Sequence, residues 1–168
     1  IEEKNNGVIE WLLSKPVARR AYLLSKLLVN LFYCVLFLVL VPAIITYGLF
    51  SLRLGSPFPV LPFLSGVGIM IFHMTFYIAL TLLLGVFFSS RAPVLGISLA
   101  LVLGGNLIAS LIKPLLYGSP FILAKSASLV AGSQSVPAEL IWPPVLSTGL
   151  WIIIFIALSL FKFEYAEF

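Results

Sequence analysis

The sequence predicts an all-α integral membrane protein: an amphipathic helix at the cytoplasmic surface, four transmembrane helices, and a short external or re-entrant helix before the last of them. Three observations carry this. Of 168 residues, 61% are hydrophobic and only 10% charged, with a mean hydropathy of +1.17; a soluble domain solvates its surface with about 25% charged residues. The apolar stretches are continuous and not alternating, which selects helices over a β-barrel. The charges avoid the long apolar runs. A soluble enzyme, a free nucleic-acid binder and a disordered tail are excluded on these grounds. The net charge of +4 records membrane topology and not affinity for nucleic acid.

Crossing about 30 Å of hydrocarbon takes about 20 helical residues. Residues 1–26 hold the charge-dense interface helix and the approach to the first span; residues 27–168 form the transmembrane domain. The first span is expected over 27–50, with Pro42 as a kink. The second runs over 61–88, longer than a crossing needs and so tilted or partly interfacial, and it carries the sole histidine, His73. The third is 93–112. Ser119 before Pro120 reads as an N-cap with proline in the first turn, and Gly132 as a C-terminal stop, which frames a helix over 120–131. Twelve residues cannot span, so this piece is expected outside or dipping beside the bundle. Trp142, Pro143 and Pro144 then start the last span, 145–161.

Lys4, Lys15, Arg19, Arg20, Lys26, Arg91 and Lys162 fall on one side of this map, against Arg53, Lys113 and Lys125 on the other. Seven against three places both ends of the chain in the cytoplasm by the positive-inside rule. The protein is accordingly expected as a multi-pass protein of the cytoplasmic membrane. Cys34 is the only cysteine, inside an apolar run, and is read as a packing residue. The stretch from Ile1 to Ser14 lacks the basic start and small-residue cleavage site of a signal peptide. The sequence is therefore expected to be an internal piece of something longer.

On a helical wheel, Glu3, Asn6, Gly7, Glu10 and Ser14 share one face, while Val8, Ile9, Trp11, Leu12 and Leu13 fill the other. Helices bound to lipid alone place Lys and Arg on the polar face. This face is acidic or neutral, so a protein partner explains it better. Ser14 can cap the helix that follows, with Pro16 tolerated in its first turn, and Arg19, Arg20 and Lys26 can snorkel to the interface.

The run Glu3, Gly7, Glu10, Leu12-Leu13-Ser14, Pro16-Val17-x-Arg19 and Lys26 resembles the segment before the third membrane helix of ATP-binding-cassette (ABC) transporter permeases of the type-2 export class. Ala18 stands where that family usually has serine. The later helices, the Ser89-Ser90-Arg91 loop and the charged tail of Lys162, Glu164 and Glu167 are similar in a general way. The resemblance implies that residues 1–14 form a cytoplasmic coupling helix docked on an ATPase subunit. Glu3 and Glu10 would meet the ATPase, and Trp11, Leu12 and Leu13 would pack against the permease or the interface. It further implies a second permease half, homo- or heterodimeric, and alternating access driven by ATP. Permeases of the family have six spans, two of them before the coupling helix. Those two are expected in a longer polypeptide or in a separate chain.

No Gly-x-x-x-x-Gly-Lys-Ser/Thr phosphate loop is present, so ATP is expected on the partner and no cofactor on this chain. The spans hold no Ser/His/Asp set, paired carboxylates or His/Glu metal set, which argues against an enzyme. His73, flanked by Met70, Phe72, Met74 and Phe76, is the sole ionisable side chain deep in a span. It is a candidate pathway residue, although a neutral imidazole bonded to a neighbouring helix accounts for it equally well. Gly96, Ser98, Ala100, Gly104, Gly105, Ala109 and Ser110 suggest close helix packing in the third span. Two other functions compete: a membrane scaffold or assembly protein whose first helix docks a cytosolic partner, and an ion-driven secondary transporter. The cargo is not legible.

Overall fold

A computed structural model describes residues 19–111 and 118–165; the segment 1–18, with Glu3, Gly7, Glu10, Trp11, Leu12, Leu13, Ser14 and Pro16, lies outside the described residues. Every regular element among the described residues is helical. Helix α1 (Arg19–Cys34) passes through a π-helical turn, Val35–Leu40, into α2 (Val41–Leu54). Then come α3 (Val60–Phe87), α4 (Arg91–Leu111), a 3₁₀ turn (Pro120–Ile122) leading into α5 (Leu123–Ala131), a second 3₁₀ turn (Ala138–Leu140), and α6 (Trp142–Glu164).

Among the described residues, three helical stretches are long and apolar enough to cross a membrane: Arg20–Leu54, Val60–Phe87 and Ala138–Glu164. The expected third span, 93–112, is helical as α4 and contributes the shorter apolar stretch Arg91–Gly105. The first span extends past its expected bounds of 27–50 at both ends: the winding continues through Pro42 and stops only at Gly55, whose φ of 65° closes the helix. The irregularity expected at Pro42 lies just before it. Proline lacks an N–H and its ring crowds the carbonyl four residues back. The preceding turn is wound wider, with the Val41 N–H bonded to the Leu36 carbonyl.

Helix α3 is the hub, packing against α1, α4, α5 and α6. It runs parallel to α6: Phe72 lies against Gly149, Phe76 against Phe155, and the Lys162 ammonium over the Phe87 ring. Phe76, Ala79, Leu80 and Ile152 form the core of that contact, with Leu101 of α4 packed on its edge. Along α6 the buried positions Pro144, Thr148, Ile152, Ser159 and Phe163 recur at helical spacing and make one inward stripe.

The short helix ends as expected at Ala131, by a different device. Gly132 has φ −77°, and the left-handed residue is Ser133 at φ 58°. The Gln134 N–H bonds the Leu129 carbonyl and the Ser133 N–H that of Val130, a Schellman closure. Ser119 does occupy the N-cap position with extended backbone, yet its hydroxyl makes no capping bond.

Candidate functional site

Helix α5 runs antiparallel to α3. The Pro120 carbonyl faces His73, while Ala127 and Ala131 lie against Gly66. His73 lies 13 residues inside α3, about 20 Å from its start at Val60. The short helix therefore begins near the middle of the bundle and climbs back toward the end where α3 and α6 start. It lies along the flank of α3 and not beyond its end, the arrangement that a helix dipping beside the bundle requires.

Two glycines make that placement possible. A β-carbon at Gly66 would stand 2.5 Å from the Ala127 carbonyl oxygen and 2.8 Å from the Ala131 nitrogen, so backbone meets backbone there. At Gly105, a β-carbon would collide with the Phe121 ring. Phe121 is thereby seated against α4 beside the first turn of the short helix. Gly96 and Gly104, two other small residues of α4, have no such neighbour. The Ser126 hydroxyl donates to the Leu140 carbonyl at 2.9 Å, tying α5 to the turn that leads into α6.

His73 is buried, edge-on to Tyr77 with ring centroids 5.0 Å apart. Its Nδ1 has no hydrogen-bond partner, and neither do the buried hydroxyls of Ser119 and Thr148. The sequence marked His73 and missed Gly66, Ser126 and Thr148. A glycine, a serine and a threonine within apolar runs carry no signal until the partner helix is known.

At the first turns of α1, three helices converge. Leu23 of α1 and Phe163 of α6 are buried together, with Tyr22, Leu82, Val86 and Leu160 packed around them. Tyr22 stacks on Phe163 with centroids 5.9 Å apart. Arg20 donates from Nε at 3.1 Å and Nη2 at 2.6 Å to one carboxylate oxygen of Glu164. Arg19, the one candidate coupling residue with a described backbone, opens α1 directly before this junction. On the other side of the chain, Leu40, Ala43, Ile44 and Tyr47 face Val60, Phe63, Leu64 and Val67 across an apolar groove of about 320 Å³.

Among the described residues, no group of three or more His, Cys, Asp or Glu side chains could hold a metal ion. A family model described as "ABC-2 family transporter protein" matches residues 1–168. No curated protein and no solved structure gives a significant match.

Proposed function

The chain belongs to the ABC-2 family of transporter proteins, and we propose that it is the membrane permease subunit of an ATP-driven exporter in the cytoplasmic membrane, with both ends of the chain on the cytoplasmic side. The observation that carries this reading is the family match across the whole chain, joined to a multi-pass helical architecture. A separate ATPase subunit hydrolyses ATP, and two permease halves alternate between inward-open and outward-open states.

In this reading residues 1–14 are the coupling helix. Glu3 and Glu10 face the ATPase, Gly7 allows close approach, and Trp11, Leu12 and Leu13 pack toward the permease. Ser14, Pro16 and Arg19 turn the chain into α1. The junction of Arg20, Tyr22 and Leu23 with Phe163 and Glu164 supports the proposal, because a displacement of the preceding segment would reach α1, α3 and α6 together. His73 lies in the contact with the short helix, which favours a positioning role at that joint over a place on the transport path.

The test is co-purification of the complete permease with its ATPase, followed by transport in proteoliposomes. Glu3→Lys with Glu10→Lys is expected to abolish ATP-dependent transport while leaving the membrane domain folded. Unchanged transport would remove the coupling role, and a complex without any ATPase would favour the scaffold reading.

A further inference from the structure

We propose that the exposed face of α5 walls a water-filled vestibule entering the bundle from the end where α3 and α6 start, and that Lys125 draws small anions from the aqueous phase into it. The inference rests on the chain spanning a bilayer; it requires neither ATP nor a direction of transport.

Depth is set by the contacts of the short helix. Val60 and Leu61 are exposed apolar side chains, which places the first turn of α3 already in hydrocarbon. Lys125 lies in the stretch between Pro120, whose carbonyl faces His73, and Ala127, which lies against Gly66. His73 and Gly66 stand 13 and 6 residues beyond Val60, about 20 and 9 Å along α3. The lysine is thus carried inside the membrane, on the flank of α3.

Side chains lean toward the N-terminus of their own helix, and α5 begins at its deep end. The exposed Lys125 side chain is accordingly directed into the bundle and away from the near interface, where snorkelling would take it. Glu139 is the only carboxylate in the sequence between Glu10 and Glu164. Neither it nor Lys125 makes an ion pair among the described residues. An ammonium bare in hydrocarbon is too costly to persist, so water fills the space that this face meets.

The neighbouring residues agree. Leu123, Ser126 and Ala127 are buried against the bundle, whereas Ser128, one turn beyond Lys125, is exposed. Gly132, Ser133, Gln134 and Ser135 continue as exposed positions past the end of the helix. A polar track therefore leads from Lys125 toward the membrane surface. A lipid-facing strip reads differently, as the first span shows with exposed Leu38, Ile44 and Leu49. Low-dielectric walls focus the field of an unpaired cation along such an opening and concentrate anions there.

The test is thiol labelling of the complete permease in opened native membranes, in a cysteine-free background; Cys34 is the only cysteine of this sequence. Ser128→Cys is treated with an anionic sulfonatoethyl and a cationic trimethylammonioethyl methanethiosulfonate, each rate being divided by that with a free thiol in solution. Both reagents are expected to react, the anionic one about tenfold faster after normalisation, with the preference lost in Lys125→Gln and shrinking as salt is added. Leu38→Cys is expected to stay inert, because a thiol in hydrocarbon does not ionise. The salt series with Lys125 in place carries the test if Lys125→Gln fails to fold. Ser128→Cys as inert as Leu38→Cys would overturn the vestibule. Equal normalised rates, or a preference that survives Lys125→Gln or high salt, would overturn the anion site.

Discussion

Gly66 of α3 and Ala127 of α5 meet backbone to backbone: the position of a β-carbon on residue 66 is 2.5 Å from the Ala127 carbonyl oxygen. Neither atom group can yield as a flexible side chain would. This contact sets how close the short helix lies to the hub.

Gly66→Ala is therefore expected to destabilise the fold by about 1–3 kcal/mol, the usual cost of overpacking. Gly68, two residues on, has open space around its β-position, so Gly68→Ala is expected to be neutral or slightly stabilising, by up to about 1 kcal/mol from helix propensity. Unfolding in mixed micelles separates the two. Equal effects would mean that α5 does not dock on Gly66.

Phe121 and Gly105 form the second seat of the short helix. Gly105→Val should displace the ring, and Phe121→Ala should leave a void that costs about 3 kcal/mol or more where the ring is well packed. With the ring gone the added methyl groups have room, so the double variant should be less damaged than the two single effects predict together. Coupling of about 0.5–3 kcal/mol is the expected signature in a double-mutant cycle. Strict additivity would show that the two residues are not in contact.

Two buried hydroxyls on this part of the molecule should behave oppositely. Ser126 donates to the Leu140 carbonyl, and Ser126→Ala is expected to cost about 1 kcal/mol. Thr148 is fully buried with its Oγ1 unpartnered, so Thr148→Val, which keeps the shape and removes the hydroxyl, is expected to be neutral or stabilising by about 1 kcal/mol. Thermal unfolding of the two variants in one detergent provides the comparison.

The Arg20–Glu164 pair is exposed, with side chains 65% and 40% accessible. Solvent screening leaves such a pair little weight in global stability. Glu164→Gln is expected to leave the unfolding midpoint unchanged while speeding amide hydrogen exchange in the last turn of α6. A lowered midpoint would assign the pair a structural role that its exposure argues against.

What could be read from the chain were features that local chemistry decides. The spans follow from uninterrupted apolar runs, the short helix from Pro120 and the turn after Ala131, and the disturbance near Pro42 from its missing N–H. The Gly66–Ala127 approach was not legible, because it depends on which helix comes to lie across α3. The same holds for the docking of the short helix along α3, which twelve residues with a proline start leave open. Ser133 took the left-handed conformation one residue beyond Gly132, since the Schellman bonds choose a position and not a residue type. The coupling residues from Glu3 to Pro16 were read from sequence alone, and they lie outside the described residues.

The wide turn at Val35–Leu40 has a bearing on how the first membrane rod tolerates change. A π-turn holds one residue more than α-helical winding requires, so it takes up a surplus residue without altering the azimuth of the helix on either side. Elsewhere, loss of a single residue turns everything beyond it by about 100° about the axis. Within Val35–Leu40 the lost residue would be the surplus one. The lower half of the rod, keyed to Phe163 and Glu164, and the upper half, facing Phe63 and Val67, would each keep their bearing.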